Sequence, residues 1–398
     1  MSGAAARSFS ATIALSISSL FLLTAGLLPQ AVGQEPSTFQ STVELPAAFV
    51  YVLNSPSNSK VEINAFRAAS DGKLSIVPGA PFSTEMAHGA SMALNQKFLF
   101  ATSGIDIYSF RIKNDGALQA ANSVNAQNFN LDSCGGPQAL FLDRTGSSLY
   151  DLDYYSDCAN NAYQIFFPEN LTGQLSYEGV TTTSTPIFEV PLSFSGNNEY
   201  AYGASCYHWL QEIFGFKRTS DGNLTDLNIT PAMPISKPDQ LYCPNLAAAD
   251  TTNHVAVPMQ ALNSFTLQPV GFGTIATYTA DTAGNLTTTS TYSNMPRVGV
   301  GTVISISMSP AGNLLAVGGT NGLQVFHFNG AEPVTAYGGL LTTDEVDQIS
   351  WDTQNHLYAI SQPAGLLFVF RITPTSHNRI AGSPYAIANP NRIAILPR

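Results

Sequence analysis

Residues 302–328 read TVISISMSPAGNLLAVGGTNGLQVFHF, and variants of this unit recur from one end of the chain to the other. An apolar run ends at Ser309-Pro310-Ala311-Gly312. A second, from Leu314, ends at Gly318-Gly319, and a third, from Leu323, ends at Asn329-Gly330. Short β-favouring runs punctuated by Gly, Pro and Asn are strands joined by tight turns. A unit repeated at such spacing means that one supersecondary element is stacked many times.

Two signatures define the repeat. One is a strand, a turn and a second strand, seen from Met92, Leu140, Leu192, Ala247, Ser307 and Ser350. The other is a third strand turning into a fourth, as in IDIYSFRIKNDGAL from Ile105, QEIFGFKRTSDGNL from Gln211 and GTIATYTADTAGNL from Gly273. Its Gly-x-Leu places a glycine where a tight hairpin needs positive φ. The second signature occurs seven times and the first six. The strand at residues 392–397 supplies the seventh, with its partner at residues 49–54 at the other end of the chain. The expected fold is therefore all-β: a seven-bladed β-propeller of four-stranded antiparallel blades, closed by the C-terminal strand entering the first blade. An open solenoid needs no such closure.

Residues 1–33 have the pattern of a signal peptide, with Arg7 ahead of a long apolar run and Ala31-Val32-Gly33 at the cleavage point; an uncleaved anchor is the alternative. Residues 34–46 read as a flexible leader and 47–398 as the propeller. The mature protein is expected to be exported, periplasmic or extracellular, monomeric and free of the membrane after cleavage. Charged residues are only 11% of the chain, and the net charge of −11 disfavours nucleic acid as a partner.

The four cysteines contain no C-x-x-C pair, and export favours disulfides, with Cys134–Cys158 and Cys206–Cys243 preferred over free buried thiols. Aligning first strands places Ala90, Gln138, Val190, Asn245, Ile304, Asp347 and Arg392 in one ring at the channel mouth. His88 and Glu345 lie two positions earlier in their blades. Asp347, Arg392 and His88 are the candidates for acid–base chemistry, and Gln138, Asn245, Glu345 and the loop residue His208 for ligand binding. The plainer expectation is that Asp347 and Arg392 form an ion pair that helps close the ring. Asp151, Asp153 and Asp157 read as a solvated acidic loop, because calcium loops need more regular oxygen ligands. His254, His327 and His356 fall in strands at scattered offsets, and no metal site or cofactor is expected. Asn-x-Thr sequons start at Asn170, Asn223, Asn228 and Asn285. No nucleophile-elbow, zincin, P-loop or dinucleotide fingerprint is present.

The opening at residues 49–54, the DG-x-L hairpins, Met308-Ser309-Pro310-Ala311-Gly312-Asn313 and Gly382-Ser383-Pro384-Tyr385 resemble the seven-bladed propeller lactonases. That family includes bacterial 6-phosphogluconolactonase and the fungal carboxymuconate-lactonizing enzyme. The resemblance covers nearly all of residues 47–398 and implies lactone chemistry at the channel mouth. Active members carry Gly-Pro-Arg-His at one first strand, where this chain has Gly136-Pro137-Gln138-Ala139, and an Asn-Glu whose Glu falls near Tyr154, with Asp153 beside it. With that charged set absent, the expected function is binding of a small molecule, glycan or protein. The alternative is a lactone hydrolase that uses Asp347 or His88 to activate water and Arg392 to hold an oxygen.

Overall fold

The computed structural model describes residues 45–54, 60–89, 91–126, 137–153, 161–183, 190–207 and 210–398. The proposed signal peptide and all of the leader but Leu45 and Pro46 lie outside them. No helix among the described residues is long and apolar enough to cross a membrane.

Among the described residues the strands form seven antiparallel sheets, each a blade. Blade 6 shows the plan: Val303–Met308 innermost, then Leu314–Gly319, Gly322–His327 and Thr335–Thr342 outermost. Its inner hairpin turns at Ser309, whose N–H and hydroxyl both engage the chain beyond the turn. The second strand is buried along its whole length, because sheet covers it on both edges and blades cover it on both faces. This is why such runs read as continuously apolar rather than alternating.

Ring closure follows the sequence expectation. Pro390–Pro397 pairs antiparallel with Ala48–Asn54 on the inner edge of blade 1. The register slips between Leu53 and Asn54, whose partners are Arg392 and Pro390, so Asn391 is an extra residue. Such a bulge bends the strand and re-aims the neighbouring side chain. Here that neighbour is Arg392.

The apolar core is divided among the gaps between blades. Seven clusters each join successive blades, such as Phe49, Tyr51 and Leu53 of blade 1 with Leu99 and Ala101 of blade 2. Val50, Val52, Ile393 and Ile395 of blade 1 pack likewise with Tyr358, Ile360 and Val369 of blade 7. A hydrogen bond recurs across these gaps. The Tyr51 hydroxyl donates to the Gly116 carbonyl at 2.9 Å, Tyr150 to Gly222 at 2.7 Å and Tyr202 to Gly284 at 3.0 Å. Each acceptor is the glycine of a third-to-fourth-strand hairpin in the next blade. Gly116 has φ +88°, and a side chain there would drive into the Phe49 ring, so this glycine supplies both the turn and the close approach. Burial pushes the Tyr150 hydroxyl pKa up to about 12, which keeps it a donor.

The acidic cluster differs from expectation. Asp151 is not in a solvated loop; it sits fully buried in the second strand Leu149–Asp153 of blade 3. The second-strand position, enclosed on all sides, overrides the polarity of the residue. Asp157 lies outside the described residues.

Candidate functional site

Each first strand runs from the face carrying the second-to-third-strand turns toward the opposite face, so seven chain entries converge at one mouth. A cavity of about 450 Å³ opens there. Its walls are apolar: Ala139 and Leu140 of blade 3, Pro191 before blade 4, Leu246 and Ala247 of blade 5, Ile304 and Ile306 of blade 6, and Ile349 of blade 7. Its polar lining is Ser91, Ser305, Asp347, Gln348, Gln362 and Arg392. Apolar walls with a few convergent polar groups are the usual composition of a small-molecule site.

Asp347 directly precedes the inner strand Gln348–Trp351. Its Oδ2 accepts the Gln362 N–H at 2.6 Å, which ties it to the turn beyond the second strand of the same blade. Gln348 reaches sideways, and its Oε1 accepts the Ile393 N–H of blade 1 at 2.6 Å. Arg392 donates through Nη1 to the Asn391 carbonyl at 2.9 Å and to Asn391 Oδ1 at 2.6 Å. Asn391 Nδ2 is anchored on the Gly89 carbonyl of the approach to blade 2 at 2.7 Å. The bulged residue thus holds the guanidinium in place. Asp347 and Arg392 both line the cavity. Each has a local partner, the Gln362 N–H for Asp347 and Asn391 for Arg392.

The other sequence candidates fall elsewhere. His88 is exposed on the rim and does not line the cavity; its N–H donates to Ser103 Oγ at 3.2 Å. Glu345 is half-buried and does not line it either. Gln138 lies in the strand Pro137–Leu142, whose Ala139 and Leu140 line the cavity. Asn245 is displaced from the ring. Leu246 has φ +64°, a left-handed residue that turns the chain, so Leu246 and Ala247 face the channel. Asn245 points to a neighbouring pocket, its Nδ2 donating to the Val303 carbonyl at 3.1 Å. His208, Cys134 and Cys158 lie outside the described residues. Sequence alignment of blades missed Gln362 and Asn391, because one is placed by a turn and the other by a bulge, and neither occupies the repeated ring position.

Cys206 and Cys243 are joined, with Cα atoms 5.2 Å apart. Both lie in strands: Cys206 in Tyr200–Tyr207 of blade 4 and Cys243 in Gln240–Pro244, which pairs with the far half of His254–Asn263 in blade 5. At the opposite end of the channel Arg144 spans three blades, donating to the Phe194 carbonyl at 2.8 Å, to the Ala249 carbonyl at 3.2 Å and to that of Asp250. Burial lowers its pKa and nearby Asp250 raises it in part. No cluster of three or more His, Cys, Asp or Glu side chains able to hold a metal occurs among the described residues.

This architecture, a closed ring of seven four-stranded blades, is matched by solved structures of proteins named as lactonases. A candidate 6-phosphogluconolactonase from Bacteroides uniformis matches with TM-score 0.63 and 13% identity, over 88% of this chain and 100% of that one. A second, from Bacteroides fragilis, matches with TM-score 0.58 and 15% identity over 89% and 99%. The periplasmic gluconolactonase of Pseudomonas aeruginosa matches with TM-score 0.55 and 14% identity over 88% and 99%. At these identities the likeness establishes the fold. No protein-family model matches the sequence, and no curated protein matches it significantly.

Proposed function

We propose that the channel mouth is a binding site for a small polar molecule bearing a carboxylate or carbonyl oxygen, and that the protein binds this ligand without turning it over. The observation carrying this is the placement of a guanidinium, Arg392, and a carboxylate, Asp347, in one apolar-walled cavity. A guanidinium in such a setting favours an anionic or carbonyl oxygen. A carboxylate on the same wall accepts a ligand hydroxyl. Against turnover, the Oδ2 of Asp347 is engaged by a backbone N–H at 2.6 Å and no histidine lines the cavity among the described residues. A general base must reach the proton it removes.

The fold neighbours named as lactonases favour a second reading, opening of a cyclic ester with Asp347 activating water and Arg392 holding the carbonyl oxygen. The experiment that separates them is a panel of sugar lactones and matching aldonates, followed by calorimetry and by product formation. Saturable aldonate binding without lactone turnover, abolished by Arg392→Ala in a chain that melts normally, supports binding. Turnover lost in Asp347→Asn supports the hydrolase. Export fits the Cys206–Cys243 bond and the periplasmic site of the Pseudomonas neighbour. The mass of the mature N-terminus tests it.

A further inference from the structure

Blade 5 carries an addition to the four-strand plan. Gln240–Pro244 pairs with the far half of the ten-residue strand His254–Asn263 and raises a hairpin above the mouth face. Between this hairpin and blade 6 lies a second cavity of about 480 Å³, which among the described residues shares no lining residue with the channel cavity. Asn245 forms the partition. Its side chain lines the second cavity and donates to Val303 on the far side, while the next residues in each segment, Leu246 and Ile304, line the channel.

The chemistry of the two cavities is opposite. Among the described residues, none lining the second cavity ionises. Its surface is Met259, Leu262, Leu267, Val303, three prolines and the Cys206–Cys243 disulfide. The polar groups are the carboxamides of Asn245, Gln260 and Gln268 with the Thr302 hydroxyl. An ionised ligand would lose hydration there without a counter-charge, at prohibitive cost. A carboxamide both donates and accepts, so it complements a carbonyl, amide or hydroxyl. Among the described residues no aromatic ring lines the walls.

The walls are preformed. Pro244, Pro258 and Pro269 fix their backbone angles. The rim after Asn263 is pinned: Asn263 Oδ1 accepts the N–H groups of Phe265 and Thr266 at 3.0 and 2.9 Å, and Val270 N–H reaches the Ala261 carbonyl at 2.8 Å. The disulfide ties the added strand to blade 4. A rigid cavity of this size avoids most of the ordering cost of binding.

We infer that this second cavity is a binding site for an uncharged, largely hydrocarbon small molecule carrying one carbonyl, amide or hydroxyl group, independent of the charged site in the channel. Gly273 provides the test. It lines the cavity without positive φ, and a Cβ there would meet only Val298 Cβ at 3.7 Å and the Met259 carbonyl at 3.8 Å. The backbone at Gly273 therefore accommodates a Cβ, valine suits the strand it sits in, and Gly273→Val adds methyl groups at the cavity wall. Gln268→Leu removes an exposed carboxamide from the rim and leaves the core untouched.

The probes are cyclohexylacetamide and cyclohexylacetate, near-identical in shape and different in charge. Ligand-observed NMR and thermal shift on the full chain give the readout. The amide is expected to bind at least tenfold tighter than the carboxylate, to lose at least tenfold in Gly273→Val and severalfold in Gln268→Leu, and to keep its affinity in Arg392→Ala. Absence of amide binding, equal binding of amide and carboxylate, or an amide affinity unchanged by both cavity variants overturns the assignment.

Discussion

Removing residues 390–398 tests whether ring closure holds the propeller together. The deleted strand buries Ile393, Ile395 and Leu396, which are 4%, 8% and 0% exposed. At about 1.5–3 kcal/mol for each large aliphatic side chain, their loss costs on the order of 5–9 kcal/mol. That is comparable with the whole net stability of an ordinary domain, about 5–15 kcal/mol. The deletion also uncovers one edge of Ala48–Asn54, a strand buried along its length, and an unpaired apolar edge seeks another chain. The truncated protein is therefore expected to lose cooperative thermal unfolding and to sediment as an aggregate. A graded version avoids total loss: Leu396→Ala, opposite Phe49, should lower stability by about 2–5 kcal/mol in urea melts. Ile76→Ala, on the outer strand and 67% exposed, should change it by less than about 0.5 kcal/mol. A truncated chain with the melting temperature and monodispersity of the intact protein would refute the closure argument.

Other perturbations follow from particular contacts. Arg218 Nη2 meets Asp143 Oδ2 at 2.9 Å, with side chains 12% and 0% exposed, so Asp143→Ala should cost about 3–5 kcal/mol in denaturant melts by stranding a buried guanidinium. Burial raises the Asp143 carboxyl pKa, but bonds from Asn198, Thr145 and the Ser148 N–H, with Arg218 nearby, outweigh it and hold the carboxyl below its usual range; His254 and Thr252 do the same for Asp250. The unfolded chain then binds more protons in acid, so this stabilisation is complete above the unfolded value of about 4 and is lost as pH falls through the folded one. Melting temperatures should drop steeply below that value, and a flat profile, or one unaltered by Asp143→Asn, would contradict it. Reducing Cys206–Cys243, separated by 37 residues, should lower stability by up to about 4 kcal/mol on the loop-entropy model, read as a reductant-dependent shift in the urea midpoint. Gly116→Ala should be clearly more destabilising than Gly104→Ala, because both have positive φ but only Gly116 lies against a ring.

The fold was legible because its information is local and repeated. Gly116, Gly222 and Gly284 mark the same hairpin in three blades, and the strand at 392–397 had no partner except the one at 49–54. The site was legible in part for the same reason. Asp347 and Arg392 hold the repeated position, so alignment put them at the mouth, and both line the cavity. Asn245 was misplaced because one left-handed residue, Leu246, shifts the phase of its segment. Asn391 and Gln362 went unseen because a bulge and a turn, not a strand period, deliver them. Asp151 looked solvated because composition says nothing about which strand of a blade a residue occupies.

The division of the core into separate gaps bears on how freely such a sequence can diverge. In a domain with one central core, a changed side chain presses on every element at once, and compensation must be found globally. Here Phe49 answers to the hairpin around Gly116, and a compensating change need only occur across that gap. Nearest-neighbour coupling of this kind confines each adjustment to two blades. Substitutions can then accumulate independently at seven seams while the backbone ring stays fixed. An extra hairpin can rise above blade 5 without disturbing the others. That accounts for a chain that matches the whole of the Bacteroides uniformis protein with 88% of its own length at 13% identity.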